Sequence, residues 1–169
     1  MNGLARFVSM QNHYNLLYRE EEREMMPLCE AEGIGMIPWS PLARGMLAGT
    51  RTSLDDREST ARARADTYAH DLYNDPAGWD IVTAVQSVAG ERGVSPEEVS
   101  LAWLLSKPAV AAPIISATML DHLDAPYEPS SCSWSPARSR DWKYHIVPKR
   151  FRGTRNPRSQ VSEPFLVLQ

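Results

Sequence analysis

The chain has 169 residues, 43% of them hydrophobic, which suits one domain with a sizeable core. No run of about 18 apolar residues exists, so no membrane-spanning helix is expected. Cys29 and Cys132 are the two cysteines and lack Cys-x-x-Cys spacing, which argues against both a disulfide framework and a zinc site. Net charge is −3, but it is divided unevenly: 10 basic and 18 acidic residues lie before Tyr127, and 8 basic and 3 acidic from there on. A switch in sign at one point marks a boundary. Met1 to Phe7 carries no basic segment followed by a long apolar stretch. No signal peptide is therefore expected, and the cytoplasm is the expected address.

Arg6 to Gln11 reads as a short, largely buried strand, with Phe7 and Val8 supplying β-preference. Asn12 to Asn15 breaks the pattern into a polar loop. Arg19 to Glu32 reads as an amphipathic helix with Met25, Leu28 and Cys29 on one face and a kink near Pro27. Cys29 is expected as a small buried hydrophobe, and Glu20-Glu21-Glu22 as a solvated helix start. Gly33 ends the helix in the left-handed conformation. Ile34 to Pro38 is the next buried strand and runs into Trp39-Ser40-Pro41-Leu42. Ala43 to Tyr73 is charged and irregular and reads as a long surface loop with short helical pieces.

Asp75-Pro76 opens a helix over Ala77 to Arg92, with Ile81, Val82, Val85 and Val88 as its inner stripe. Ser95-Pro96-Glu97-Glu98 is a helix start with a serine cap, proline at the first position and glutamate three residues after the cap. That helix runs to Ser106 and stops at Lys107-Pro108. Ala111 to Ile115 reads as a final short strand, and Met119 to Leu123 as the start of another helix. The order is β-α-β-loop-α-α-β-α, which is α/β grammar with right-handed parallel crossovers. Residues 1–125 are thus expected to form one unit. Residues 126–169, rich in Ser, Pro and Arg, are expected to be a disordered tail. A change of reading frame would produce such a tail. Its aromatics, Trp134, Trp142, Tyr144 and Phe151 among basic residues, fit an unselected sequence better than a nucleic-acid-binding one.

Three segments together resemble one family. Phe7 to Leu17 (FVSMQNHYNLL) is similar to the sixth barrel strand of aldo-keto reductases. Ile37 to Gly49 (IPWSPLARGMLAG) is similar to the seventh strand and the loop that crosses the cofactor. Gly93 to Leu105, followed by Pro113 to Thr118, is similar to the last helix and the eighth strand. The resemblance covers about residues 5–125. It implies part of a TIM (β/α)8 barrel, its last three parallel strands with their helices, and a fold that is marginal alone because two strand edges stay open.

The resemblance also implies NADP(H) as cofactor and an aldehyde or ketone as small-molecule substrate, with neither nucleic acid nor membrane as partner. It assigns Gln11 to the nicotinamide carboxamide and Trp39 to stacking on the nicotinamide ring. Ser40, Leu42 and Arg44 would follow the pyrophosphate, where a guanidinium suits the charge. Ser116, Thr118 and Met119 would meet the adenosine phosphate at a helix N-terminus, and His122 would stand beside adenine. Family members often have Gly where Ser116 stands and a basic or polar residue where Met119 stands. Arg51 would replace a family lysine as a phosphate contact. The family's proton-donating Tyr, with its Lys, Asp and His, belongs to early strands that have no match here. The expectation is therefore an oxidoreductase-family chain that is inactive alone. The alternative is a non-catalytic NADP(H)-binding or interaction module. His13 reads as a loop residue without a catalytic part.

Overall fold

The computed structural model describes residues 4–51, 53, 72–73 and 76–116. Its organising feature is a small parallel sheet. Strand β1 (Ser9–Met10) pairs with β2 (Gly35–Met36), Ser9 opposite Gly35 and Met10 opposite Met36. Backbone bonds extend this ladder on both sides. The amides of Gly35, Ile37 and Trp39 donate to the carbonyls of Val8, Met10 and Asn12 at 3.0, 2.8 and 2.9 Å, and His13 forms a parallel bridge with Trp39. The alternate spacing of these donors is the parallel pattern, and it carries β1 and β2 side by side to the same end of the sheet.

A third parallel segment lies on the other edge of β2. Met36 bridges Val110, and the amides of Met36 and Ala111 exchange bonds with the carbonyls of Ala109 and Met36 at 2.7 and 2.8 Å. The predicted strand over Ala111 to Ile115 is thereby corrected to pairing centred on Val110. The reason is Pro113: it has no amide hydrogen to give at its turn in the ladder. Ile114 donates to Pro38 O instead, at 2.8 Å and one residue out of step.

The first strand also differs from expectation. Phe7 and Val8 are 85% and 80% exposed, not buried. β-Preference describes fit to a pleated surface, whereas burial requires a covering element, and none of the described residues lies over these two.

Helix α1 is Met25–Glu32. The helix starts at Met25 and not at the predicted Arg19, so Pro27 falls in its first turn, where the missing amide hydrogen would have had no partner in the helix. Met26 and Cys29 are the buried residues of α1, while Leu28 is half exposed. Gly33 closes the helix at φ 66°, as predicted. Helix α2 (Pro76–Arg92) buries Ile81, Val82, Val85 and Ala89. Helix α3 (Pro96–Leu105) begins with the predicted capping box: Ser95 Oγ accepts from Glu98 N at 3.1 Å and Glu98 Oε2 accepts from Ser95 N at 2.7 Å. These two helices pack on each other and on the irregular 3-10 segment Ala43–Ala48.

That last segment begins the stretch expected to be a surface loop, yet Ala43, Met46 and Leu47 are buried in the same core as Tyr14, Leu16 and Leu104. Gly49 fixes how closely it meets α3. Its φ is +75°, and a Cβ there would stand 2.8 Å from Pro96 Cγ. Of the rest of the predicted loop, residues 52 and 54–71 lie outside the described residues, as do the predicted helix start at Met119 and the predicted tail over 126–169. No helix among the described residues is long and apolar enough to cross a membrane.

Candidate functional site

At the carboxyl end of the parallel sheet the chain turns from β1 through Gln11 to Tyr18 and from β2 through Trp39 to Gly45. In α/β sheets of this kind ligands gather at that end. Four side chains from three stretches of sequence meet here. The ring of His13 lies between those of Tyr18 and Trp39, each with a centroid separation of 4.2 Å and an interplanar angle of 17°. Tyr73 meets His13 edge-on, with centroids 5.8 Å apart, and its hydroxyl hydrogen-bonds to His13 Nε2.

Asn15 ties this group together. Its Oδ1 accepts from the amides of Leu17 and Tyr18, both at 2.9 Å, which fixes which end of the amide is which. Asn15 Nδ2 therefore points the other way, to Ser40 O at 2.9 Å, Tyr73 Oη at 3.1 Å and His13 Nε2 at 3.3 Å. The two hydrogens of that NH2 face three partners, and the bond between His13 Nε2 and the Tyr73 hydroxyl closes the group. His13 is held neutral: burial, with the positive charge of Arg44 nearby, lowers its pKa from 6.5 to about 4.

The loop after Trp39 is strained. Ser40, Ala43 and Arg44 have φ of 55°, 47° and 55°, a left-handed region that side-chain-bearing residues rarely adopt. Each such residue costs on the order of 1 kcal/mol and persists only where its surroundings hold it. Asn15 supplies part of that hold through Ser40 O, which also accepts from Ala43 N at 3.0 Å.

A second network lies beneath. Glu22 accepts from Tyr14 Oη at 2.6 Å and from Arg19 at 2.7 and 3.0 Å, with Lys107 Nζ 3.3 Å away. Glu21 accepts from the buried Asn12 at 2.7 Å. The 3-10 turn Glu20–Glu22 is thus not merely a solvated helix start. It neutralises and orders the polar groups under the Gln11 to Tyr18 turn. Burial alone would raise the carboxyl pKa of Glu22, but hydrogen bonds from Arg19 and Tyr14 and the charge of Lys107 outweigh it, and the net shift is downward.

Among the sequence-predicted residues, Gln11 is exposed and lies between the two ladder bonds at Met10 and Asn12, next to β2. Trp39, Ser40, Leu42 and Arg44 are half-buried along one continuous turn. Ser116 is exposed, two residues beyond the bond from Ile114 to Pro38. Arg51 is only 5% exposed, with its carbonyl accepting from Gln86 at 3.4 Å. Thr118, Met119 and His122 lie outside the described residues. Sequence reasoning missed His13, Asn15 and Tyr73. For His13 a signal was available: it stands two residues after Gln11, on the same side of an extended chain. Tyr73 offered none.

The sequence pattern of the aldo/keto reductase family matches residues 1–131. The chain belongs to that family. Similar proteins include the aldo-keto reductase AMT2 of Alternaria alternata, 44% identical over 123 residues, covering 73% of this chain and 32% of that protein. The aldo-keto reductase dtxS3 of Metarhizium robertsii is 39% identical over 156 residues, covering 89% and 40%. The versiconal hemiacetal acetate reductase of Aspergillus parasiticus is 36% identical over 154 residues, covering 88% and 43%. The chain therefore spans from about a third to a little over two fifths of the length of these relatives.

Proposed function

We propose that these residues are the cofactor-holding portion of an NADP(H)-dependent carbonyl reductase of TIM-barrel architecture acting on an aldehyde or ketone. The observation that carries this reading is the shared end of the sheet. Gln11, with an exposed amide, and Trp39, with a half-buried indole, sit on adjacent parallel segments, and the charge of Arg44 is close enough to depress His13. An amide, a flat aromatic face and a cation in that order suit a carboxamide, a nicotinamide ring and a pyrophosphate. Ser40 and Leu42 line the path between the ring and the phosphates, and Ser116, Thr118, Met119 and His122 carry the adenosine end.

The described residues are read as serving the cofactor. Tyr14 commits its hydroxyl proton to Glu22, and the Tyr73 hydroxyl is engaged with His13 Nε2. Burial, then the hydrogen bond to Glu22, holds the Tyr14 hydroxyl far above its ordinary range, so it is a poor acid. The 169-residue chain by itself accordingly binds NADPH without reducing an aldehyde.

Titration of the full chain with NADPH, followed by the change in dinucleotide fluorescence, tests this. Saturable binding that is lost in Trp39→Ala, with no NADPH consumed in the presence of an aromatic aldehyde, is expected. Absence of binding, or binding indifferent to Trp39, overturns it.

A further inference from the structure

We propose that His13 is the positioning residue of the nicotinamide subsite: its ring, backed by Tyr18 and held at its edge by Tyr73, covers one face of Trp39 and sets the plane on which the dinucleotide ring stacks. The inference rests on the cofactor reading above and assigns within it a residue that reading did not use.

The geometry carries it. An indole at the end of a strand has two free torsions, and a ring that receives a cofactor must be held in one plane before the cofactor arrives. Among the described residues, no hydrogen bond from the Trp39 side chain does this. What lies against it is His13, nearly parallel at 17° and 4.2 Å. His13 is itself held from three directions. Tyr18 stacks on its far face, the Tyr73 hydroxyl is hydrogen-bonded to Nε2, and its own backbone bridges Trp39 in the sheet. Asn15 then ties the device to the loop, since one amide group touches His13, Tyr73 and the carbonyl of Ser40, the residue after the indole. With one face of Trp39 covered, a nicotinamide ring has the other face alone to use.

Two consequences distinguish positioning from mere packing. His13→Leu fills similar volume without a flat ring, and His13→Phe restores the ring without the nitrogen. The indole N–H resonance of Trp39 is identified in the nitrogen-15 spectrum of the full chain by its loss in Trp39→Phe. That resonance is expected to move in His13→Leu and to return close to its original place in His13→Phe. NADPH affinity is expected to fall about tenfold in His13→Leu, equivalent to about 1.4 kcal/mol, and to recover in His13→Phe. An unmoved Trp39 resonance in His13→Leu overturns the proposal, as does a moved resonance with unchanged NADPH affinity. Circular dichroism of each variant guards against unfolding; if His13→Leu does not fold, Tyr18→Leu, which removes the outer ring of the stack, must shift the same resonance or the proposal fails. Failure of the underlying cofactor reading looks different, because the unsubstituted chain then does not bind NADPH at all.

Discussion

Asn15 and Ser40, separated by 25 positions in the chain, are joined by a 2.9 Å bond from the Asn15 amide to the Ser40 carbonyl. This bond links the turn after β1 to the strained turn after β2. Asn15 is fully buried and uses both ends of its amide, so its contribution is not replaceable by a residue of similar size. Asn15→Ala leaves the amide of Leu17 without its acceptor and Ser40 without its tether. A buried backbone group stripped of its partner costs about 1–3 kcal/mol, and loss of the second bond adds to this. A loss of about 3 kcal/mol is expected, read as a lower urea midpoint at unchanged slope. An unchanged midpoint would show that the turn is held by other means.

The contact between Gly49 and Pro96 makes a second test. Substitution by alanine places a methyl 2.8 Å from a proline ring carbon and at a φ of +75°. Overpacking of this kind costs typically 1–3 kcal/mol, and the left-handed backbone adds about 1 kcal/mol for a residue with a Cβ. Gly49→Ala is expected to lower stability by about 3 kcal/mol. Adding Pro96→Ala is expected to return the steric part alone, so the pair is non-additive. Strict additivity in thermal or chemical unfolding would rule out the contact.

The site was legible in the sequence where it depends on near neighbours. Ser95-Pro96-Glu97-Glu98 specifies its helix start within four residues, and the capping box is found as written. The stripe of Ile81, Val82 and Val85 faces the core, Val88 packs against its margin, and Ala89, four residues after Val85, continues the buried row. Long-range order was not legible. Nothing local to His13 announces Tyr73, 60 positions away. Glu22 looks like part of a solvated acidic run until folding brings Tyr14, Arg19 and Lys107 around it. Phe7 and Val8 fail in the opposite sense: their apolar character is local, but the surface that would cover them is not among the described residues.

Glu22 gives a pH test with a definite sign. Its pKa is lowered from 4.5 in the folded chain, so below that value the unfolded chain takes up a proton before the folded chain does. Stabilisation by the Tyr14–Glu22–Arg19 network is therefore complete above the unfolded value and lost as pH falls through the folded one. Glu22→Gln, which cannot titrate, is expected to be less stable at neutral pH but flatter through the acid range. Unfolding midpoints measured from about pH 5 to about pH 3 check this; parallel curves for the two proteins would remove Glu22 from the account.

His13 acts in a higher window. Burial and Arg44 lower its pKa from 6.5 to about 4, so between those values the unfolded chain carries a proton on this residue that the folded chain refuses. Stability is thus fully present above pH 6.5 and declines as pH falls toward about 4, before Glu22 is affected. A charged His13 carries hydrogen on both ring nitrogens, so the contact of Asn15 Nδ2 with Nε2 would become donor against donor. In His13→Phe the decline over this interval should vanish while the acid limb from Glu22 remains. The two limbs separate cleanly in a plot of unfolding midpoint against pH, because the carboxylate and the imidazole leave their unfolded values about two units apart. A His13→Phe protein that loses stability from pH 6.5 as steeply as the original would mean that the slope belongs to another group, and that His13 is not held neutral by the ring cluster.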